Sequence, residues 1–193
     1  MQAIQTQYRG FRFRSRLEAR WAVFLDQLGV TWTYEPEGFL LSDGRRYLPD
    51  FWIPCPEYHG AGAGYWLEVK GPSPSEEDLA KCKRLAQDSG HIAILVYGDI
   101  NGQAFGQYSF DPVREAGVVT GVRLQHSNER SKEMQAFLHA LQYDPAEQPF
   151  WSHFSIASRF WSGQQRGHLP EARFAQAIEA ARRARFEHGE SGA

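Results

Sequence analysis

The sequence predicts an α/β domain in which a mixed central sheet is flanked by helices. Three features predict this class: an amphipathic helix near the N-terminus, short aromatic and β-branched segments after it, and a second helix followed by an unbroken apolar run. The chain has 193 residues, of which 42% are hydrophobic and 14% aromatic, which is enough apolar material for a folded core. The predicted order over residues 15–98 is helix, three strands, helix, strand.

The first helix is predicted over residues 15–28, between a capping serine, Ser15, and a terminating glycine, Gly29. Its apolar stripe consists of Leu17, Trp21, Phe24, Leu25 and Leu28. Glu18 lies about 20° around the helix from Leu25, at the edge of that stripe. The glutamate has two interpretations: it completes a capping box with Ser15, or it belongs to a functional site.

Three strands are predicted after this helix. The first, 31–36, is aromatic and β-branched and stops at a proline. The second, 45–54, contains Pro49, which indicates a bulge or an edge position. The third, 65–71, is a short segment bounded by glycines. Together these segments predict the part of the sheet that precedes the second helix.

The second helix is predicted to begin after Ser75, whose hydroxyl is a typical N-cap. The run 91–98 is apolar throughout, which is typical of a strand buried on both faces. Segments 105–111 and 117–125 predict two further strands. The sheet is therefore expected to extend beyond the helix–strand core.

The C-terminal part is predicted to be a mostly helical extension. Residues 129–142 have a helical pattern, and a last helix follows Pro170. The chain is therefore divided into a core domain, 1–128, and an extension, 129–193. The last helix is rich in arginine, and a solvated face is the favoured interpretation, with contact to a DNA backbone as the alternative.

Charge is distributed unevenly along the chain. The formal net charge is -2, so any nucleic-acid binding must depend on local charge. The first twenty residues hold five arginines and one acid, Glu18, which gives a local charge of +4. This run is either an exposed basic surface or an arm that contacts phosphates, and composition alone leaves both open.

The sequence favours a soluble, cytoplasmic protein with no membrane partner. Two cysteines make no disulfide framework, and the N-terminus lacks the apolar core of a signal peptide. No window approaches the length and hydrophobicity of a membrane span. A zinc site formed by Cys55, His59, Cys82 and His91 is disfavoured, because these residues lack the paired spacing of structural zinc ligands.

Three acids and one lysine are the candidate catalytic residues. Asp50 interrupts an aromatic segment, although aspartate is a poor strand former. Glu68 and Lys70 are two residues apart and therefore project from the same face of their strand. Such a pair is usually a surface ion pair of little energetic worth. The presence of Asp50 on the preceding strand and Glu18 on the preceding helix favours a shared site instead.

This pattern resembles the PD-(D/E)xK, or restriction-endonuclease-like, nuclease superfamily. The resemblance covers residues 9–98 and rests on an upstream helical Glu18, then Pro49–Asp50, then Glu68-Val69-Lys70. The fragments SRLEARWAVFLDQLG, YLPDFW and WLEVKG are similar in style to TnsA-type transposition endonucleases and to small phage or prophage nucleases. The resemblance implies an αβββαβ core and a DNA endonuclease that depends on Mg²⁺, with Mn²⁺ as a substitute.

The resemblance also implies a role for each residue. Asp50, Glu68 and the backbone carbonyl of Val69 would bind the metal, and Glu18 a metal-held water or a second ion. Lys70 would orient or deprotonate the attacking water or stabilise the developing charge. The products would carry a 5′-phosphate and a 3′-hydroxyl. DNA contacts are expected from the basic residues of the two helices and the segment before the first: Arg14, Arg16, Arg20, Lys81 and Arg84. For the second helix, a solvated face is the favoured alternative.

Two rival functions remain at this point. In the first, the chain has a nuclease-like fold without activity and serves to bind DNA or to assemble a phage or mobile-element DNA-processing complex. In the second, the chain is an enzyme that acts on RNA. The intact set of Glu18, Asp50, Glu68 and Lys70 favours the active enzyme. A homodimer or a protein partner would bring two such sites to the two strands of DNA.

Overall fold

A six-stranded mixed sheet forms the centre of the protein. The computed structural model describes residues 5–55, 62–71, 73–98, 100, 104–112, 116–123 and 171–186. The strands are β1 Thr6–Tyr8, β2 Phe11–Phe13, β3 Thr33–Tyr34, β4 Phe39–Leu40, β5 Arg46–Tyr47, β6 Phe51–Pro54, β7 Gly64–Lys70, β8 Ile92–Tyr97, β9 Ala104–Asp111 and β10 Ala116–Arg123. The helices are α1 Arg16–Leu28, α2 Glu76–Ser89 and α3 Glu171–Arg183.

The central sheet has the strand order β10-β9-β8-β7-β6-β3. Only β7 and β8 pair in parallel among the described strands, and α2 connects them. The other neighbours in this sheet are antiparallel. In chain order α1, β3, β6, β7, α2 and β8 are a helix, three strands, a helix and a strand, so the predicted α/β class with a mixed sheet is confirmed.

The ends of the first two helices lie where the sequence predicts them. The Ser15 side chain accepts a hydrogen bond from the Glu18 backbone N–H, and Gly29 ends α1 in the left-handed conformation, with φ of 71°. Ser75 caps α2 in a capping box with Asp78. These local signals are strong because each one satisfies backbone groups that the helix itself leaves without partners.

The segment 45–54 is not the single strand that the sequence predicts. Arg46–Tyr47 pairs with β4 in a separate two-stranded sheet, whereas Phe51–Pro54 joins the central sheet. Pro49 lies in the break, where its missing N–H and fixed φ prevent a continuous ladder. The hairpin of β1 and β2, which the sequence reading did not identify, leads the chain into α1.

Two hydrophobic cores cover the two faces of the sheet. One core contains the buried side of α1, the inner residues of α3, and sheet residues such as Phe51, Leu67 and Val69. The other contains the buried side of α2 together with Trp66 and Leu95. Glu68 and Lys70 alternate with Leu67 and Val69 along β7 and therefore share the opposite face of the strand, as the sequence predicts. This face is on the α2 side of the sheet.

The predictions for the later part of the chain have mixed outcomes. The strands expected at 105–111 and 117–125 are the antiparallel pair β9 and β10, and the last helix after Pro170 is α3. The predicted helix at 129–142 and the domain boundary near residue 128 lie outside the described residues. Among the helices that the structure does describe, none combines the length and apolar character needed to cross a lipid bilayer.

Candidate active site

The antiparallel register of β6 and β7 brings Asp50 and Glu68 together. Phe51 pairs with Leu67, so one step further along the ladder Asp50 lies opposite Glu68. The Asp50 carboxylate turns towards β7, where Oδ2 accepts a hydrogen bond of 2.7 Å from the Val69 backbone N–H. Both acids are buried, with 2% and 7% of their surface exposed. The predicted meeting of these two side chains is therefore present.

Glu18 is the third buried acid, and hydrogen bonds to both oxygens fix its carboxylate. Tyr34 donates to Oε2 over 2.6 Å, and the Ser15 hydroxyl donates to Oε1 over 2.7 Å. The Arg14 backbone N–H also donates to Oε2, over 3.1 Å. Ser15 caps the helix, but Glu18 does not return a bond to the Ser15 backbone as a capping box requires. Its carboxylate is thus directed at neighbouring segments as well as at the cap.

Lys70 completes the cluster of four residues. Its ammonium nitrogen lies 2.9 Å from Glu68 Oε1 and 3.5 Å from Asp78 Oδ1. Burial by itself lowers the pKa of Lys70, but the charges of Glu68, Asp78 and Asp50 outweigh it and raise the pKa above the ordinary value. Lys70 is therefore a cation at neutral pH.

The charges of the carboxylates repel one another. Burial raises the pKa of Asp50 well above its usual range, and the charges of Glu68 and Glu18 raise it further, against the Val69 N–H and Arg14. Burial also raises the pKa of Glu68, although Lys70 opposes that shift. Glu18 and Glu68 therefore both lie within electrostatic reach of Asp50. When all three are ionised, the acids outnumber the two cations that pair with them, Lys70 and Arg14.

Arg14 was expected to contact DNA, but its guanidinium is engaged by carboxylates of the chain. Nη2 lies 2.8 Å from Asp50 Oδ1, and Nε lies 2.6 Å from Glu35 Oε1. The Arg14 side chain remains half exposed, so part of its guanidinium faces solvent. Glu35 is held beside it by a backbone bond of 2.8 Å from its own N–H to the Asp50 carbonyl. Arg14 is thus the cation that pairs directly with Asp50.

Oxygen donors for a cation are present at this site. Glu68 Oε2 is buried and accepts no well-formed hydrogen bond within the described ranges, although the Tyr47 hydroxyl lies near the same carboxylate. The Lys70 carbonyl accepts from the Gly98 N–H on the β8 edge, so the alternation of the strand directs the Val69 carbonyl towards the opposite, β6 edge. As placed, no three histidine, cysteine, aspartate or glutamate side chains in the described residues surround a common point. The donors are therefore adjacent but not arranged as a closed cage.

The alternative zinc site is not formed by its two cysteines. Cys55 belongs to the core on the α1 side of the sheet, and Cys82 belongs to the core on the α2 side. Both thiols are buried and free, and burial raises their pKa. Since thiolate is the form that binds zinc, apolar burial on opposite faces disfavours this site.

The two predicted DNA-binding residues on α2 form ion pairs with acids outside the buried cluster. Lys81 pairs with Glu77 over 2.6 Å, and Arg84 lies 3.7 Å from Asp43. Arg16 and Arg20 were expected beside Glu18, but each is two residues from it, or about 200° around the helix. They line a pocket with the end of α3 instead.

Three residues of the site were missed by sequence reasoning. Tyr34 holds Glu18, and Asp78 contacts Lys70 from the first turn of α2. Tyr47 is partly buried near the acids, and desolvation together with the charges of Glu68 and Asp50 raises its pKa well above the usual value. An acid in the first turn of a helix is sufficiently explained by the helix dipole, so the sequence offered no separate signal for Asp78.

Comparison with known proteins finds no matching family model and no significant match among curated proteins. The function of the chain must therefore be inferred from its own side chains.

Proposed function

We propose that the chain is an Mg²⁺-dependent DNA nuclease that hydrolyses phosphodiester bonds at Glu18, Asp50, Glu68 and Lys70. One observation carries the proposal: two buried acids from separate segments, Glu18 and Glu68, both lie within electrostatic reach of a third, Asp50, and an ammonium group lies 2.9 Å from Glu68. A purely structural cluster would gain little from this arrangement, because burying like charges is costly. The resemblance to PD-(D/E)xK nucleases gives the same four residues.

The excess of negative charge favours a divalent cation as the missing partner. Burial and the charges of the two other acids raise the pKa of Asp50, and Glu68 Oε2 is buried with no well-formed hydrogen bond in the described part of the chain. A bound cation would remove both penalties. Asp50, Glu68 and the Val69 carbonyl supply only oxygen donors, which suit Mg²⁺ or Mn²⁺ better than zinc.

The residues of the chain have distinct roles in this proposal. Bound Mg²⁺ would supply the positive charge that phosphoryl oxygens need during hydrolysis. Lys70, beside Glu68, orients the attacking water and donates hydrogen bonds to the phosphoryl oxygens. Glu18, fixed by Tyr34 and Ser15, accepts a hydrogen bond from a water at the site. The exposed part of Arg14 contacts the phosphate that approaches Asp50.

DNA is proposed as the substrate because the resemblance is to DNA endonucleases. The products then carry a 5′-phosphate and a 3′-hydroxyl, and two copies of the chain, or a partner protein, bring two sites to the two strands.

A plasmid-cleavage assay tests the function. Supercoiled plasmid is incubated with Mg²⁺ or Mn²⁺ and with wild type, Asp50→Ala or the control Asp88→Ala, which removes an exposed aspartate on α2 that bonds to Ser42. Wild type and Asp88→Ala are expected to nick or linearise the plasmid, and EDTA or Asp50→Ala is expected to abolish cleavage, because Asp50 holds the metal.

Two outcomes would contradict the proposal. Equal cleavage by all three proteins would indicate a contaminant or a different site. No cleavage by wild type, with DNA binding retained, would favour the rival function of a nuclease-like fold that only binds DNA. An RNA substrate in the same assay distinguishes an RNA-directed enzyme.

A further inference from the structure

An arginine-lined pocket lies between α1 and the end of α3. It has a volume of about 540 Å³ and is formed by five arginines together with Ala184 and Phe186. The arginines are Arg16, Arg20, Arg182, Arg183 and Arg185. We call this feature the arginine pocket. It joins residues from the two ends of the chain in one concave surface.

The packing of α3 on α1 creates the arginine pocket. The rings of Phe24 and Phe174 meet edge to face, with centroids 5.8 Å apart. Ala177 and Ala181 are fully buried along the same side of α3. Small residues at these positions allow close approach of the two helices, and this approach carries the C-terminal arginines to the first turns of α1.

Few protein acids neutralise the arginine pocket. No acidic residue is among its lining residues. Glu179 lies 2.5 Å from Arg183 and 4.0 Å from Arg182, which leaves Arg16, Arg20 and Arg185 with no carboxylate partner within the described ranges. The Nε atom of Arg20 is buried and has no hydrogen-bond partner in that part of the chain. Like charges that converge around a buried unsatisfied donor favour a bound anion.

The arginine pocket is separate from the candidate active site. Arg16 and Arg20 point about 200° around α1 from Glu18, so the helix stands between the pocket and the acids. Its ligand is therefore not the phosphate that is cleaved. A guanidinium presents a planar fork of donors that fits two phosphate oxygens at once. Several such forks in one pocket are suited to phosphate groups.

We propose that the arginine pocket binds backbone phosphates of the DNA substrate at a distance from the scissile bond. This inference rests on the proposed function, because DNA is the phosphate-bearing ligand that a nuclease must hold. It assigns to α3 a part in substrate binding, and it joins the N-terminal and C-terminal arginines in one site.

Fluorescence anisotropy of a short fluorescein-labelled duplex, measured in EDTA to prevent cleavage, tests this assignment. The variants are Arg16→Ala/Arg20→Ala and Arg183→Ala/Arg185→Ala. The second variant keeps the test informative if the first fails to fold, because Arg183 is largely exposed and its replacement should disturb the packing little. The control is Arg46→Ala/Arg173→Ala, which removes the same charge from exposed positions outside the pocket. Thermal melts confirm that each variant is folded.

Each pocket variant is expected to bind the duplex at least about tenfold more weakly than the control at moderate salt. The slope of log K against log salt concentration should fall by about 1 to 2, as two phosphate contacts are lost. Unchanged affinity in both pocket variants would overturn the inference. So would ATP binding that the pocket variants lose while their duplex affinity stays normal, since the pocket would then be a nucleotide site.

The result is independent of the cleavage assay. Loss of duplex binding in the pocket variants with no cleavage by wild type would reject the nuclease and keep the arginine pocket as a DNA site. Normal binding in the pocket variants with cleavage by wild type would reject the pocket and keep the nuclease.

Discussion

Replacing Lys70 with methionine is expected to slow Mg²⁺-dependent DNA cleavage by about 10²–10³-fold. The methionine keeps most of the length and apolar packing of the side chain but removes the ammonium group, which lies 2.9 Å from Glu68 Oε1. The pKa of Lys70 is raised by Glu68, Asp78 and Asp50 against the effect of burial, so the lost group is a cation. Single-turnover cleavage rates of wild type and Lys70→Met measure the effect directly.

The matched control for this prediction is Lys83→Met. Lys83 lies on α2, its ammonium nitrogen is 5.3 Å from the centre of the Phe110 ring on β9, and it forms no ion pair with the three buried acids. Its loss should leave the rate unchanged. Duplex affinity in EDTA separates catalysis from binding. If Lys70→Met cleaves at the wild-type rate, or if its affinity falls as much as its rate, Lys70 does not act in the chemical step.

Replacing Phe13 with alanine is expected to lower the free energy of unfolding by about 3–5 kcal/mol. Phe13 is fully buried, and its ring lies 4.4 Å from that of Tyr34 and 6.1 Å from those of Trp32 and Phe51, measured between centroids. Alanine leaves a cavity that these rigid rings cannot close, so the cost includes both lost burial and lost packing. Urea unfolding monitored by tryptophan fluorescence measures the change.

Phe11→Ala is the control on the same strand. Phe11 is 38% exposed and contacts Trp32 from the rim of the cluster, with ring centroids 5.1 Å apart. Its replacement should cost about 1 kcal/mol or less, because little apolar surface is withdrawn from water. An equal decrease in the free energy of unfolding in the two variants would show that Phe13 is not at the centre of the aromatic cluster.

The elements that the sequence predicted correctly are those with strong local signals. The first helix has a capping serine, a terminating glycine and an apolar stripe of regular spacing, and each of these is read from adjacent residues. The strand at 92–97 is a continuous apolar run. The meeting of Asp50 and Glu68 could also be predicted, because two neighbouring antiparallel strands bring facing residues together.

The parts that the sequence did not predict depend on contacts between distant segments. Nothing in the segment around Tyr34 indicates that its hydroxyl reaches Glu18, since that contact depends on how β3 lies beside α1. The ion pair of Arg14 with Asp50 requires a chain reversal between them. The arginine pocket requires the docking of α3 on α1, at opposite ends of the sequence.

The three acids also show why a chemical pattern can be recognised without its geometry. Residue types and spacing identify Asp50, Glu68 and Lys70 as neighbours. They do not reveal which hydrogen bonds set the orientation of each carboxylate. In the structure Asp50 is directed to the Val69 N–H and to Arg14, whereas Glu68 keeps one buried oxygen without a well-formed hydrogen bond in the described residues. A cation at this site would therefore compete with Arg14 for Asp50.

Direct titration with Mn²⁺, followed by the electron paramagnetic resonance signal of the free ion, tests the central claim that these acids form a divalent metal site. Wild type and Asp88→Asn are expected to bind Mn²⁺ in competition with Mg²⁺, whereas Asp50→Asn should weaken binding at least about tenfold, since it removes a charged oxygen donor. Equal Mn²⁺ affinity in wild type and Asp50→Asn, or no binding by wild type, would contradict the account.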